Sequence, residues 1–291
     1  GLLVFDEKEN YAQLYSSDPF DNTTLSSNNI YSLYMDKGGV IWLGTNGLGI
    51  NKIVPSKNKF TLHRVTPTGL GIQSIRAIFV DYQDRLWIGG YGNISFLDRK
   101  THRYTKFKAS NNTNPGFYLN SYVFCEDKDY PGEVLWVGSE GAGLNRVNLK
   151  NFQVENYMDF FPRDLGINTY FIHSILDDGK GNIWFGSEGG LVVFNKNNRN
   201  YKYYITDPND PNSIGPKFIL KIFQDKLGDI WIGTDYAGLN YYDKGTDTFI
   251  KYTEKPGDKN SVSNNSIKTI YEDSKGNLWI GTNGGGLNRF D

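Results

Sequence analysis

The sequence predicts an all-β protein, a β-propeller of four-stranded blades, and three observations carry that prediction. All six tryptophans, Trp42, Trp87, Trp136, Trp184, Trp231 and Trp279, stand two residues before a glycine. They recur at spacings of 45, 49, 48, 47 and 48 residues, and each interval parses into four short strands separated by Gly, Asn, Asp and Pro turns. No segment holds a helical apolar period over the usual length of a helix, which excludes a solenoid of helix pairs. A four-stranded unit at this period matches a propeller blade, in which radial repetition leaves only short, protected sheet edges.

The sixth copy, NSIKTIYEDSKGNLWIGTNGGGLNRFD from Asn265 to Asp291, shows the elements in order. Strand a is the apolar run before the Asp, and a tight turn of the Asp-Ser-Lys-Gly type ends it. Strand b carries Leu-Trp-Ile-Gly-Thr. A Gly-rich turn then leads into strand c, Gly-Leu-Asn-Arg-Phe-Asp. Strand d, absent from this copy, is an aromatic run such as Thr248 to Tyr252, and a longer loop such as DPNDPNS (Asp207 to Ser213) leads to the next copy. The composition agrees: aromatic residues are 15%, with 20 Tyr and 18 Phe, types that fit half-buried pleated surfaces.

A single propeller domain over residues 1–291 is expected. It comprises a partial blade 1–26, blades 27–70, 71–118, 119–168, 169–215 and 216–264, and a partial blade 265–291. The chain opens on Gly-Leu-Leu-Val-Phe-Asp and closes on Gly-Leu-Asn-Arg-Phe-Asp, both in strand-c phase, which makes 25 strands. Six closed blades need 24 and seven need 28. The chain therefore reads as a piece of a larger protein, part of a seven-bladed propeller whose missing strands come from neighbouring sequence.

Charge and cysteine content narrow the function classes. With 31 Lys and Arg against 32 Asp and Glu, no whole-chain field would attract nucleic acid or an anionic membrane. No apolar run reaches membrane-spanning length, and the first residues lack a basic-then-apolar leader pattern. Those features fit either a cytosolic protein or one whose targeting segments lie outside this sequence. Cys125 is the sole cysteine, with no Cys or His at metal-ligand spacing, and reads as a small buried apolar residue. No metal and no cofactor are expected.

The repeated polar residues read as scaffold. In five copies an Asp opens a turn closed three residues later by Gly39, Asp84, Gly181, Gly228 or Gly276. An Asp carboxylate can accept backbone N–H groups just ahead of it, and Gly or Asp tolerates the left-handed closing position. Catalysis needs one site and not five. The third copy carries an insertion, Asp127 to Glu133, which is expected to protrude. Each Trp is expected to pack between neighbouring blades, and the glycine two residues on to let the next blade's backbone approach.

These residues, Asp-x-x-Gly-Asn-x-Trp-Ile-Gly-Thr-x-Gly-Gly-Gly-Leu-Asn-Arg-Phe, resemble the two-component regulator propeller repeat over nearly the whole chain. The second copy departs from it at Trp87 to Asn93, which lacks the Gly-Leu pair, and the fourth is one residue short at Glu188 to Leu191. The resemblance implies the periplasmic sensor region of an inner-membrane hybrid two-component receptor of Bacteroides-type bacteria. In such receptors two seven-bladed propellers precede an immunoglobulin-like domain, a membrane span, a histidine kinase and a DNA-binding regulator. It further implies oligosaccharide ligands, a neighbouring propeller or Ig-like domain as partner, and a homodimer of the full-length receptor. This chain would carry no kinase chemistry and bind no nucleic acid, and would meet the membrane only through the full-length protein.

Within a repeat protein, positions that differ between copies are free for function. Five residues before each turn Asp, on strand a, stand Tyr31, Arg76, Tyr122, His173, Leu220 and Lys268, while the position before them is Ile in five copies. Strand a is expected to line the central channel, with this ring towards the face opposite the Asp turns. The b–c turns open on that face and add Asn46, Tyr91, Glu140, Glu188, Asp235 and Asn283. The d–a loops add Phe117, Tyr118, Phe160, Phe161, Tyr170 and Phe218. Aromatic faces and planar polar groups are what sugars bind, and His173, Arg76 and Lys268 would favour an anionic saccharide. Two other readings compete: a protein-interaction scaffold, and a glycan-active hydrolase or lyase, since the Asp turn is similar to the Asp box of sialidases. A sialidase would need an Arg triad, a Tyr nucleophile and a paired acid on one face. Here Arg146 and Arg289 fall on strand c as repeat elements.

Overall fold

The computed structural model describes residues 1–6, 11–19, 24–54, 59–63, 72, 74–101, 103–110, 120–157, 160–161, 167–215 and 218–290. Among these it has 25 strands and no helix. The first sheet pairs β1 (Leu2–Asp6) with β2 (Tyr11–Tyr15). Five four-stranded sheets follow. They are β3 (Ile30–Met35), β4 (Ile41–Thr45), β5 (Ile50–Val54) and β6 (Lys59–His63); β7 (Ser74–Val80), β8 (Arg85–Tyr91), β9 (Ile94–Asp98) and β10 (Arg103–Lys106); β11 (Ser121–Glu126), β12 (Val134–Ser139), β13 (Gly143–Asn148) and β14 (Val154–Asn156); β15 (Asn168–Asp177), β16 (Asn182–Glu188), β17 (Gly190–Asn195) and β18 (Tyr201–Ile205); and β19 (Ile219–Gln224), β20 (Ile230–Thr234), β21 (Leu239–Asp243) and β22 (Thr248–Tyr252). The last sheet holds β23 (Ile267–Glu272), β24 (Leu278–Thr282) and β25 (Leu287–Phe290). In each sheet neighbours in sequence are neighbours in space, the meander of a propeller blade.

The chain forms two compact units, residues 1–124 with 147–154 and residues 125–146 with 155–291. In each, the tryptophan of one blade packs on the next. In the first unit Trp42 is buried among Ile72, Ile75, Leu86, Ile88 and Leu97. In the second, Trp184 sits among Ile219, Ile222, Ile230 and Ile232, and Trp231 among Ile267, Ile270, Leu278 and Ile280.

The glycine two residues after Trp admits the next blade's backbone, with the Ile219 carbonyl oxygen 3.2 Å from a Cβ placed on Gly186 and that of Ile267 3.3 Å from one on Gly233, and it admits a side chain more closely still. A Cβ on Gly186 would lie 2.3 Å from Ile219 Cγ2, one on Gly44 2.5 Å from Ile75 Cγ2, and one on Gly233 2.8 Å from Ile267 Cγ2. What comes nearest is the repeated strand-a isoleucine side chain of the next blade, seated in a hole that the glycine leaves open.

The a–b turns close as the Asp pattern predicts. Asp36 Oδ1 accepts the N–H groups of Gly38 (2.9 Å) and Val40 (3.0 Å), and the closing residues Gly39 (φ 76°) and Asp84 (φ 63°) are left-handed. The second carboxylate oxygen has a role that the sequence does not reveal, because Oδ2 accepts the indole N–H of the same blade's Trp. The Nε1···Oδ2 distances are 3.2 Å (Trp42–Asp36), 2.7 Å (Trp87–Asp81), 2.9 Å (Trp136–Asp127), 3.1 Å (Trp184–Asp178), 2.8 Å (Trp231–Asp225) and 2.9 Å (Trp279–Asp273). In the third blade the insertion keeps this bond while lengthening the turn, and residues 128–131 are exposed.

Candidate functional site

In five blades the end opposite the Asp turn is assembled by a bulge. In the pairing of strand a with strand b one extra residue intervenes between Ile30 and Ser32, Ile75 and Ala77, Ile172 and Ser174, Ile219 and Lys221, and Ile267 and Thr269, and the fourth blade has a second irregularity between Asn168 and Ile172. The extra residues are Tyr31, Arg76, His173, Leu220 and Lys268, the variable position of the repeat. A bulge re-aims a side chain and leaves its residue out of the ladder, so this position carries chemistry at little cost to the sheet.

The b–c turn residues come to the same end. In every blade but the second, where Gly90 takes the place, a strand-b hydroxyl ties this turn, as where Thr45 Oγ1 donates to the Gly49 carbonyl at 2.7 Å and Thr234 Oγ1 to that of Gly238 at 3.0 Å. The turn then bridges to the start of the next blade's strand a: Asn46 to Ser74 and Tyr91 to Asn120 in the first unit, Glu140 to Phe171 and Glu188 to Phe218 in the second. A turn residue of one blade thus lies beside the bulge residue of the next.

In the first unit this brings four of the singled-out residues into one cluster. The Arg76 guanidinium lies 4.2 Å from the centroid of the Tyr31 ring, 5.0 Å from that of Tyr91 and 5.3 Å from that of Tyr122. The Tyr91 and Tyr122 hydroxyls are 3.0 Å apart, and Arg76 Nη2 donates to Tyr91 Oη at 3.5 Å. Tyr31 and Tyr91 are 42% and 37% exposed, so ring surface is open to a ligand. Arg76 forms no ion pair among the described residues, and its buried Nε has no hydrogen-bond acceptor there. Asn46 is exposed, and its Oδ1 accepts a 3.4 Å bond from Ser74 Oγ.

In the second unit the singled-out residues are engaged with neighbours. Lys268 Nζ donates to Asp235 Oδ1 at 3.0 Å, and Ser266 Oγ donates to the same oxygen. Glu188 accepts from Asn168 Nδ2 at 3.0 Å. The His173 ring stands edge-on to Phe218, centroids 6.3 Å apart. Glu140 is half-buried at its bridge to Phe171, and Asn283 is exposed with its N–H on the Ser266 carbonyl at 2.8 Å. Of the d–a loop aromatics, Phe117 and Tyr118 lie outside the described residues. Phe161 is buried against Phe185, Phe194 and Tyr201, and Phe160 packs on the same cluster, so that pair belongs to the core and not to a ligand face.

The Asp-turn carboxylates are committed elsewhere. Burial works to raise Asp36 and Asp178, and hydrogen bonds from backbone, Asn182 and the indoles outweigh it and hold both below the ordinary carboxylate range. Among the described residues no group of three or more His, Cys, Asp or Glu is placed to hold a metal ion. Burial pushes the Cys125 thiol up to about 12, so it is a thiol at neutral pH.

A second feature is not legible in the sequence pattern. On the Asp-turn side of the second unit, Asp127, Tyr130, Arg146, Glu155, Tyr157, Lys196, Asn197 and Arg199 line a cavity of about 260 Å³. Lys196, 6% exposed, bridges Asp127 (2.6 Å), Asp177 (2.6 Å) and Asp129 (2.9 Å). The third-copy insertion is its only signal in the sequence.

Five stretches, 24–47, 69–92, 166–189, 213–236 and 261–284, match the family model described as two component regulator propeller. The matched windows are the copies in which Asp and Trp stand six residues apart; in the third they stand nine apart. Five of its six copies are thus two component regulator propeller repeats. It is 28% identical over 200 residues to Histidine kinase P4 of Formosa agariphila, a match covering 66% of this chain and 14% of that protein. The extracellular domain of the B. thetaiotaomicron hybrid two component system BT3049 superposes with TM-score 0.79 at 24% identity, covering 99% of this chain and 39% of that one. The extracellular domain of BT4673 from the same organism gives 0.66 at 22%, covering 93% and 40%. The fold is a β-propeller, and the chain spans well under half the length of these relatives.

Proposed function

We propose that this chain is a non-catalytic sensor propeller in the extracytoplasmic part of a two-component signalling protein. It binds an oligosaccharide released by polysaccharide breakdown and relays binding to a kinase elsewhere in the full protein. The observation that carries the binding reading is the Tyr31–Arg76–Tyr91–Tyr122 cluster: exposed aromatic faces for sugar C–H surfaces, beside hydroxyl and guanidinium groups for sugar oxygens. The repeat family and the extracellular receptor domains of like fold support the sensor setting. A hydrolytic reading is disfavoured because the recurring carboxylates are bound to indoles and turn amides.

The periplasm is the compartment proposed, within an inner-membrane receptor. A neighbouring propeller or Ig-like domain of the same protein, and a second receptor copy, are the partners through which binding would be relayed. Thermal shift across a panel of plant, algal and host oligosaccharides tests the reading. A saturable rise in melting temperature with no hydrolysis of the glycan is expected; no shift with any glycan, or turnover of one, overturns it.

A further inference from the structure

We infer that the Tyr31–Arg76–Tyr91–Tyr122 cluster is an acid-reading subsite, selecting a sugar residue that bears a carboxylate or a sulfate ester; this rests on the oligosaccharide reading above. Three cations were candidates for such a role. Lys268 is neutralised by Asp235, and His173 lies edge-on to Phe218. Arg76 differs from both. It faces three tyrosine rings and has no carboxylate among the described residues.

An arginine carries five N–H donors in a planar fork. At Arg76 one of them makes a 3.5 Å bond to Tyr91, and the buried Nε–H has no acceptor among the described residues. The rings attract the cation through their π faces but accept no strong in-plane hydrogen bonds. The fork is thus held in place by stacking while its remaining terminal N–H groups are not spent on any described residue, the arrangement that suits bidentate recognition of a planar carboxylate or the oxygens of a sulfate. The Tyr91 and Tyr122 hydroxyls, 3.0 Å apart, share a hydrogen bond beside it, and the exposed Tyr31 ring offers the stacking face for the sugar carrying the acid.

The test is calorimetric titration of the intact chain with a uronic-acid oligosaccharide, the same oligosaccharide after carboxyl reduction, and a sulfated neutral oligosaccharide of equal length. Titrations use the parent chain, Arg76→Gln, Arg76→Lys and Tyr91→Phe, with melting temperature recorded for each as the check on folding. The parent is expected to bind at least one acidic form about tenfold or more tighter than the reduced one, the scale of a charged hydrogen-bonded contact. Arg76→Gln should erase that preference, Arg76→Lys should keep part of it, and Tyr91→Phe should weaken acidic binding while leaving folding intact. The uronate and sulfate arms separate the two acids.

Equal affinity for acidic and reduced forms overturns this inference and leaves the oligosaccharide reading standing. An acid preference that survives in Arg76→Gln and Arg76→Lys places the acid elsewhere and also overturns it. Absence of binding by every form overturns both. If Arg76→Gln does not fold, the Tyr91→Phe and Arg76→Lys titrations decide.

Discussion

Trp231 donates its indole N–H to Asp225 across the a–b turn, Nε1 to Oδ2 2.8 Å, while the other carboxylate oxygen holds the amides of Leu227 and Asp229. One carboxylate therefore ties the turn to the tryptophan that seals the next blade. Trp231→Phe keeps most of the apolar contact and strands Oδ2, at a cost of about 1–3 kcal/mol. Asp225→Ala should cost at least as much, and the double variant less than the two added. Chemical denaturation of the four proteins checks this; strict additivity would mean the pair is not a unit.

Gly186→Ala forces a methyl to within 2.3 Å of Ile219 Cγ2. The expected loss is about 1–3 kcal/mol, the usual cost of overpacking. Gly186→Ala with Ile219→Val should be less destabilised than the two single losses added. Equal melting of Gly186→Ala and the parent would remove the knob-in-hole account.

Lys196 is enclosed by three carboxylates, of which Asp127 and Asp177 are fully buried. Lys196→Met leaves those charges unpaired and should destabilise by about 3–5 kcal/mol. The loss should be larger than that of Lys202→Met, whose side chain is half exposed at its ion pair with Asp247. Urea titration of both variants gives the comparison.

Asp273 is held below the ordinary carboxylate range, first by the Trp279 indole and then by the Asn277 side chain, and Asp36 and Asp178 are lowered with it. A carboxylate with its folded pKa depressed contributes stability that is present above its unfolded pKa, about 3.9, and lost as pH falls through the folded value. Melting temperature should therefore hold from pH 7 to about 5 and fall steeply below about 4. Asp273→Asn should flatten that fall. An acid limb identical in Asp273→Asn and the parent would contradict the assignment.

The blade count was legible because Trp, Gly and the turn Asp repeat at one period, and a fold made of copies states its own unit. The variable strand-a position was legible for the same reason: Tyr31, Arg76 and Lys268 stand where no two neighbouring copies agree. Its bulge was not, since a one-residue slip in pairing leaves no mark on composition. The indole-to-Asp bond was equally hidden, because a six-residue spacing says nothing about which carboxylate oxygen faces which ring. Whether a cation is paired depends on the neighbouring blade: Lys268 meets Asp235 where the fifth blade's turn is held against the sixth blade by the Gly238 N–H on the Asn265 carbonyl and by Ser266 on Asp235. Asn51, Asn240 and Asn288 of the Gly-x-Asn strand anchor the incoming loops by accepting from the N–H groups of Ser26, Gly215 and Ser263, partners that lie about 25 residues upstream and that the repeat spacing does not name.

Hydrogen exchange of the chain with and without its best-binding oligosaccharide tests the binding face most directly. Slowed exchange is expected in peptides spanning Tyr31, Arg76, Tyr91 and Tyr122, with no change at the Asp-turn cavity around Tyr130 and Arg199. Protection confined to residues 127–133 and 196–199, with the tyrosine–arginine cluster unchanged, would contradict the account.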